Sequence, residues 1–302
     1  MSAFDPPLQQ LSYEVEDRIA TITLDRPDKM NAFTNRMVHE MLAVFDEIDR
    51  DDNVRAVIVT GAGRAFCAGA DMSVGGADTF DKTAKETAGD GKQAGQATDL
   101  RNRDGGGIVT LRIFNCLKPV IAAINGAAVG VGVTMTLPMD IRLASTESKM
   151  GFVFSKRGIV PEAASSWFLP KVVGLSQALE WTMTGRVFGA EEALAGGLVR
   201  SLHEPDDLLP AARELAGEIA SSTSAISVAM SRQMLWRIPS APHPMAAHRV
   251  DSAAVPQMGA AADAKEGISS FFEKRPAEFT QGPSTDMPEV YPWFDNPPFR
   301  ED

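Results

Sequence analysis

One stretch constrains the fold of this chain more than any other. Val120-Ile121-Ala122-Ala123-Ile124 is followed at once by Asn125-Gly126-Ala127-Ala128-Val129-Gly130-Val131-Gly132. Five apolar residues in a row read as a strand buried on both faces, the pattern of a parallel sheet covered by helices. The small-residue run after it can leave main-chain N–H groups bare toward an anionic oxygen. Val54–Thr60 repeats the strand pattern and ends in the breaker Gly61-Ala62-Gly63.

Elements can be placed around these two strands. Leu11–Val15 and Ile19–Leu24 alternate about Glu16-Asp17-Arg18 and read as a hairpin. Thr34 caps a predicted helix to about Arg50, because Met37, Met41, Phe45 and Ile48 recur at helical spacing. Ile108–Cys116 reads as helix and Ile141–Ala144 as strand. Helices follow at Leu175–Thr184, Ala190–Ala195, Pro210–Ser221, Ala225–Arg237 and Ala261–Glu273. Residues 73–107 hold many Gly, Ala, Asp, Lys and Thr and few large apolar residues, which predicts a surface insertion closed by Gly105-Gly106-Gly107. The tail from Arg275 is rich in Pro and aromatic residues, and is expected to lie against the body rather than form an element. Alternation of strand and helix to about residue 200 indicates an α/β class. The expected division is a core over 1–200 and a helical assembly region with tail over 201–302.

Composition narrows the function. A formal net charge of −11 gives little attraction for nucleic acid or an anionic membrane. A polyanionic group can still be held by local basic residues and helix N-termini. Two cysteines, Cys67 and Cys116, make neither a disulfide framework nor a metal set. No apolar run reaches the roughly 18 residues of a membrane span. The N-terminus shows no signal or transit pattern and the C-terminus no peroxisomal address, so a cytoplasmic protein is expected.

Three ordered segments resemble the crotonase superfamily of enoyl-CoA hydratases and isomerases. They are Leu24-Asp25-Arg26-Pro27-Asp28-Lys29-Met30-Asn31-Ala32, then Val57 through Phe66-Cys67-Ala68-Gly69-Ala70-Asp71, then Lys118-Pro119-Val120 through Gly132. Glu273-Lys274-Arg275-Pro276 is similar to the end of that family's C-terminal helix. The resemblance implies a spiral of ββα turns, a helical C-terminal trimerisation region, a homotrimer or hexamer, and an acyl-CoA substrate. CoA arrives as part of the substrate, and no separate cofactor or metal is implied.

The resemblance also implies site residues. The backbone N–H groups of Ala70 and Val131 correspond to the family's oxyanion hole, which holds the thioester oxygen as an enolate forms. Removing one such donor typically raises the barrier by about 2.7–4 kcal/mol. Val131 stands where relatives commonly carry glycine, so its side chain is expected to narrow the acyl pocket or constrain the turn. Ala68, Asp71 and Met72 correspond to the CoA-reading loop, and Lys29 is a phosphate neighbour. Ser73 replaces a lysine found in many relatives. Lys274 could add charge from the C-terminal helix.

The acids decide the reaction. Where hydratases of the family carry two glutamates, this chain has Thr134 and Phe154. Glu162, in Gly158-Ile159-Val160-Pro161-Glu162-Ala163, is the only acid between Glu147 and Glu180. Its position resembles the single catalytic glutamate of peroxisomal-type Δ3,Δ2-enoyl-CoA isomerases. One carboxylate suffices for a 1,3-proton shift. Ile159, Val160 and Trp167 are expected to surround it and raise its pKa. The alternative is hydration or dehydration, with a hydroxyl of Thr134 or Ser166 holding the water. A non-catalytic CoA-binding homologue is the reading from another class. Glu after Pro also fits an ordinary first-turn helix residue. Cys67 reads as a buried thiol, and Asp140 as a structural turn residue. His39 reads as a solvated helix residue, and His203, His243 and His248 lack a ligand set.

Overall fold

The computed structural model describes residues 4–73, 80 and 103–299. Most of the 73–107 insertion therefore lies outside the described residues. Strands β1 (Leu11–Glu16) and β2 (Ile19–Leu24) form the expected antiparallel hairpin, with Leu11 opposite Leu24 and Glu16 opposite Ile19. Thr34 Oγ1 accepts the Met37 N–H and starts α1 (Asn35–Arg50). The α1 face carrying Met37, Met41, Val44, Phe45 and Ile48 is fully buried against the sheet.

The chain then alternates between two sheets. Strand β3 (Ala56–Gly61) pairs parallel with β2, and the chain turns sharply into β4 (Ala65–Cys67). Helix α2 (Gly105–Asn115) follows. The second turn of the spiral repeats the first, with β5 (Val120–Ile124) parallel to β3 and β6 (Ala127–Val129) parallel to β4. Asn125 ties the two reversals together: its Oδ1 accepts the Gly61 N–H and its Nδ2 donates to Gly63 O. A short helix, α3 (Val131–Thr134), leads on. Strand β7 (Ile141–Ser145) pairs with β5, and β8 (Lys149–Gly151) with β6. The helices α4 (Ser165–Val173) and α5 (Leu175–Thr184) come next. They are followed by β9 (Val187–Gly189), α6 (Ala190–Ala195) and β10 (Ser201–His203). The large sheet has the order β1-β2-β3-β5-β7-β10, and the small one β4-β6-β8-β9.

Two apolar layers hold this spiral. One lies between the sheets and under α1, α2 and α4. The other lies on the outer face of the large sheet, where Ile19, Ile58, Ile121 and Leu143 meet Ala212, Ala216 and Ala220 of α7 (Leu208–Ser222). Strand β10 and α7 carry the sheet layer past residue 200. Beyond it come α8 (Ala225–Arg237), α9 (Met245–Ala260) and α10 (Ala262–Glu273). Helix α9 was not expected from the sequence, which is Ala-rich there and carries Pro256.

The tail packs as anticipated and, among the described residues, adds no strand or helix of its own. Met287, Val290, Tyr291 and Trp293 cover Ile226, Met230 and Ala254, and Ser284 donates to Asp52. Asp140 is a structural hub. It accepts the Val120 N–H at 2.7 Å, the Trp236 indole at 2.7 Å and the Arg232 guanidinium at 2.8 Å. Among the described residues, no helix is long and apolar enough to cross a membrane.

Candidate active site

The two loops singled out in the sequence meet. Cys67 in β4 is registered against Ala128 in β6, so Ala68–Asp71 and Gly130–Gly132 leave the small sheet side by side. Gly132 is required here: a Cβ on it would collide with Cys67 O. The first loop is also tied to the Met30–Phe33 segment. Ala68 N–H donates to Met30 O, Phe33 N–H to Gly69 O, and Asp71 N–H to Phe33 O. These bonds commit the amides on either side of Ala70. Among the described residues, the Ala70 and Val131 amides themselves donate to no protein acceptor. Val131 is the first residue of α3, where a helix leaves its N–H unpaired.

Glu162 joins the second loop. Its Oε1 accepts a 2.5 Å hydrogen bond from the Thr134 hydroxyl on α3. Its Oε2 lies against the first turn of α2, where a Cβ on Gly106 would collide with it and stand 3.0 Å from Val131 Cγ2. The carboxylate and the Val131 side chain are thus neighbours around one glycine. Burial raises the Glu162 pKa to about 8, with the negative charge of Asp104 adding to the rise and the Thr134 hydroxyl opposing it.

The direction is as expected, but the neighbours differ. Val160 is 77 % exposed, and Trp167 packs edge-on against Phe114 and Phe168. Gly106, Val131, Ala163 and Thr134 enclose the acid instead. For Trp167 the main-chain course explains the difference. Ala163 and Ala164 both adopt left-handed conformations, with φ of 57° and 53°, which redirects the chain between Glu162 and α4. Non-glycine residues hold such φ values only where the surroundings impose them.

Those surroundings centre on a residue the sequence reading missed. Asp104 is the N-cap of α2, accepting the Gly106 N–H at 3.0 Å and the Gly107 N–H at 2.8 Å. Its Oδ2 also accepts the Ala163 N–H at 2.5 Å. One turn further along α2, the Thr110 hydroxyl donates to Ala163 O at 3.0 Å. The three glycines expected to close the insertion therefore open a helix. An Asp before an apolar helical run is a capping signal that could have revealed it. Its bond to Ala163 is tertiary and leaves no local trace.

Asp71 anchors the first loop: its carboxylate accepts the Ser73 N–H and hydroxyl and pairs with Arg26 at 2.8 Å. Hydrogen bonds from Ser73 and the Arg26 charge hold its pKa down at about 2, so this side chain is spent within the protein. Lys29 is exposed in the Pro27–Lys29 turn, beside Met30, which accepts the Ala68 N–H. Ala68 is half-buried and Met72 exposed on the same loop. Ser166 is exposed on α4 and makes no hydrogen bond to Glu162, and Lys274 is exposed at the end of α10. Thr134 is fully buried, and of the hydroxyls considered it is the one that touches the acid. Cys67 is buried and its pKa is pushed up to about 12 by burial, which makes it an inert thiol.

Among the described residues the Ala70 and Val131 amides are unpaired, and the half-buried Glu162 carboxylate stands beside the Val131 side chain. The chain belongs to the enoyl-CoA hydratase/isomerase family, whose sequence model matches residues 14–282. It is 40% identical over 264 residues to enoyl-CoA hydratase AFT3-1 of Alternaria alternata, covering 87% of this chain and 83% of that one. It is 32% identical over 276 residues to 1,2-epoxyphenylacetyl-CoA isomerase of Escherichia coli K12, covering 88% and 96%. The crystal structure of enoyl-CoA hydratase from Bacillus anthracis superposes with a TM-score of 0.76 at 28% identity, covering 90% of this chain and 99% of that one. The architecture is accordingly the crotonase fold, and the chain is an enzyme of that family.

Proposed function

We propose that this enzyme moves the double bond of a 3-enoyl-CoA to the 2-position, with Glu162 as the single acid and base. The thioester oxygen sits between the amides of Ala70 and Val131. Carboxylate Glu162 takes a proton from C2, the two N–H groups hold the dienolate oxygen, and the resulting carboxylic acid returns the proton at C4. The proton balance closes on one residue, and no water is consumed. CoA enters as part of the substrate and is read by the Ala68–Met72 loop with Lys29 beside it.

The observation that carries this reading is the Glu162 carboxylate itself, half-buried beside Val131 with its pKa raised to about 8. A base should titrate close to working pH, because it must both accept and release the proton. The hydratase positions, Thr134 and Phe154, offer no carboxylate.

Hydration is the second reading. It is favoured by the names of relatives such as the Alternaria enzyme, and by the hydroxyl of Thr134 on Glu162. Incubating the enzyme with 3-enoyl-CoA and 2-enoyl-CoA thioesters of several chain lengths, beside Glu162→Gln, separates the two. Isomerisation that is lost in the variant is the expected result. Wild type that only hydrates the 2-enoyl substrate replaces the first reading with the second. Full activity of the variant on every substrate removes Glu162 from both.

A further inference from the structure

We infer that Asp104, together with Thr110, is the positioning device for Glu162: one carboxylate caps α2 and clamps the left-handed turn that aims the base. This rests on the reading of Glu162 as the base. No position matched to the family's motifs includes Asp104. The argument starts from the turn. Two consecutive alanines at positive φ are strained and persist only where neighbouring groups hold them there. Both polar groups of the Ala163 main chain are held by α2. The N–H goes to Asp104 Oδ2 at 2.5 Å and the C=O to Thr110 Oγ1 at 3.0 Å. Ser165 N–H closes the turn on Glu162 O at 2.9 Å. The residue bearing the base is therefore fixed to α2 on its C-terminal side and to α3 through Thr134.

The same carboxylate acts by charge. Asp104 is the charged neighbour that works against ionisation of Glu162, in the same direction as burial. Across the remaining faces, the described neighbours are Val131 and Thr134 from α3 and the Cys67 thiol from β4. None of these is a cation. Asp104 thus does two separable jobs: it sets where the carboxylate stands and how tightly it keeps its proton.

Asp104→Asn separates them from folding. Asn caps helices about as well as Asp, so α2 should persist. It lacks the charge and the second acceptor, and cannot satisfy Ala163 N–H together with both glycine amides. Thr110→Val removes the other clamp and leaves the charge. The measurement is kcat/KM against pH on the substrate that wild type isomerises, with melting temperature and circular dichroism as folding controls. For Asp104→Asn we expect a plateau lower by about tenfold to a hundredfold. Its acid limb should move to lower pH by about half to one unit, since a like charge has gone. For Thr110→Val we expect a comparable fall in the plateau with the limb unmoved. If Asp104→Asn does not fold, Asp104→Ser keeps a capping oxygen and carries the same test.

Wild-type plateau and limb in folded Asp104→Asn overturn the inference while Glu162→Gln stays inactive. A lowered plateau with an unmoved limb also overturns it, because loss of structure alone does that. If Glu162→Gln is itself active, the underlying reading has failed instead.

Discussion

Gly106→Ala is the sharpest perturbation the site offers. It adds one methyl to the first turn of α2, where the nearest atoms are Glu162 Oε2, Val131 Cγ2 at 3.0 Å and Ala163 Cβ at 3.1 Å. In the helix itself the change is favourable by roughly 0.5–1 kcal/mol. Crowding of a packed site costs about 1–3 kcal/mol. The balance is a net cost of about 0–2.5 kcal/mol, so the melting temperature should fall by no more than several degrees. The carboxylate, however, must retreat on the order of 1 Å. A misplacement of that size costs about a hundredfold in rate. The assay is single-turnover isomerisation of a 3-enoyl-CoA under saturating enzyme, beside the melting curve. Gly105→Ala is the control. Its methyl meets Val38 Cγ2 at a similar 3.1 Å, on the side of α1 and away from the acid. We expect a large rate loss in the first variant and a small one in the second. A Gly106→Ala enzyme with wild-type rate, or a Gly105→Ala enzyme equally impaired, would refute the contact between α2 and the base.

Two further outcomes follow from the geometry. Thr134→Val removes the hydroxyl that stabilises ionised Glu162, so the acid limb of kcat/KM should move to higher pH, opposite in sign to Asp104→Asn; a limb that stays or falls contradicts the hydrogen bond. Phe271, Phe272 and Ile268 are respectively 77 %, 76 % and 60 % exposed on α10, more apolar surface than one helix of a monomer usually leaves open. We propose that they are covered in a homotrimer or a hexamer. Light scattering should return three or six chain masses, and Phe271→Ser/Phe272→Ser should lower that number; a monomeric wild type defeats the proposal.

The fold was legible wherever a residue pattern was long enough to show its period. Six-residue β1 and β2 with their hairpin turn, the Thr34 cap, and the buried runs of β3 and β5 all stand where alternation, capping and continuous apolarity indicate. Strands β4, β6, β8, β9 and β10 span three residues each and carry no period to detect. Helix α2 escaped at its start because glycine propensity argues against a helix, and the Asp104 cap and buried Val109 and Ile113 override it. Helices α4 and α9 each contain a proline, at Pro170 and Pro256.

The site divides the same way. Glu162 and the two amide loops could be picked out because each has a local signature: Pro-Glu for one, small residues after a buried strand for the others. What encloses Glu162 could not, since Gly106, Val131 and Thr134 reach it from distant parts of the chain. Asp104 is bonded to a residue 59 positions away, and no window of sequence shows that.

The Glu162 carboxylate and the Val131 amide are mounted together. Ala70 follows the end of β4, whereas Val131 opens α3, the helix whose Thr134 hydroxyl holds Glu162. On the proposed mechanism, a shift of α3 would therefore move the acid and one amide donor as a unit, leaving the Ala70 donor behind.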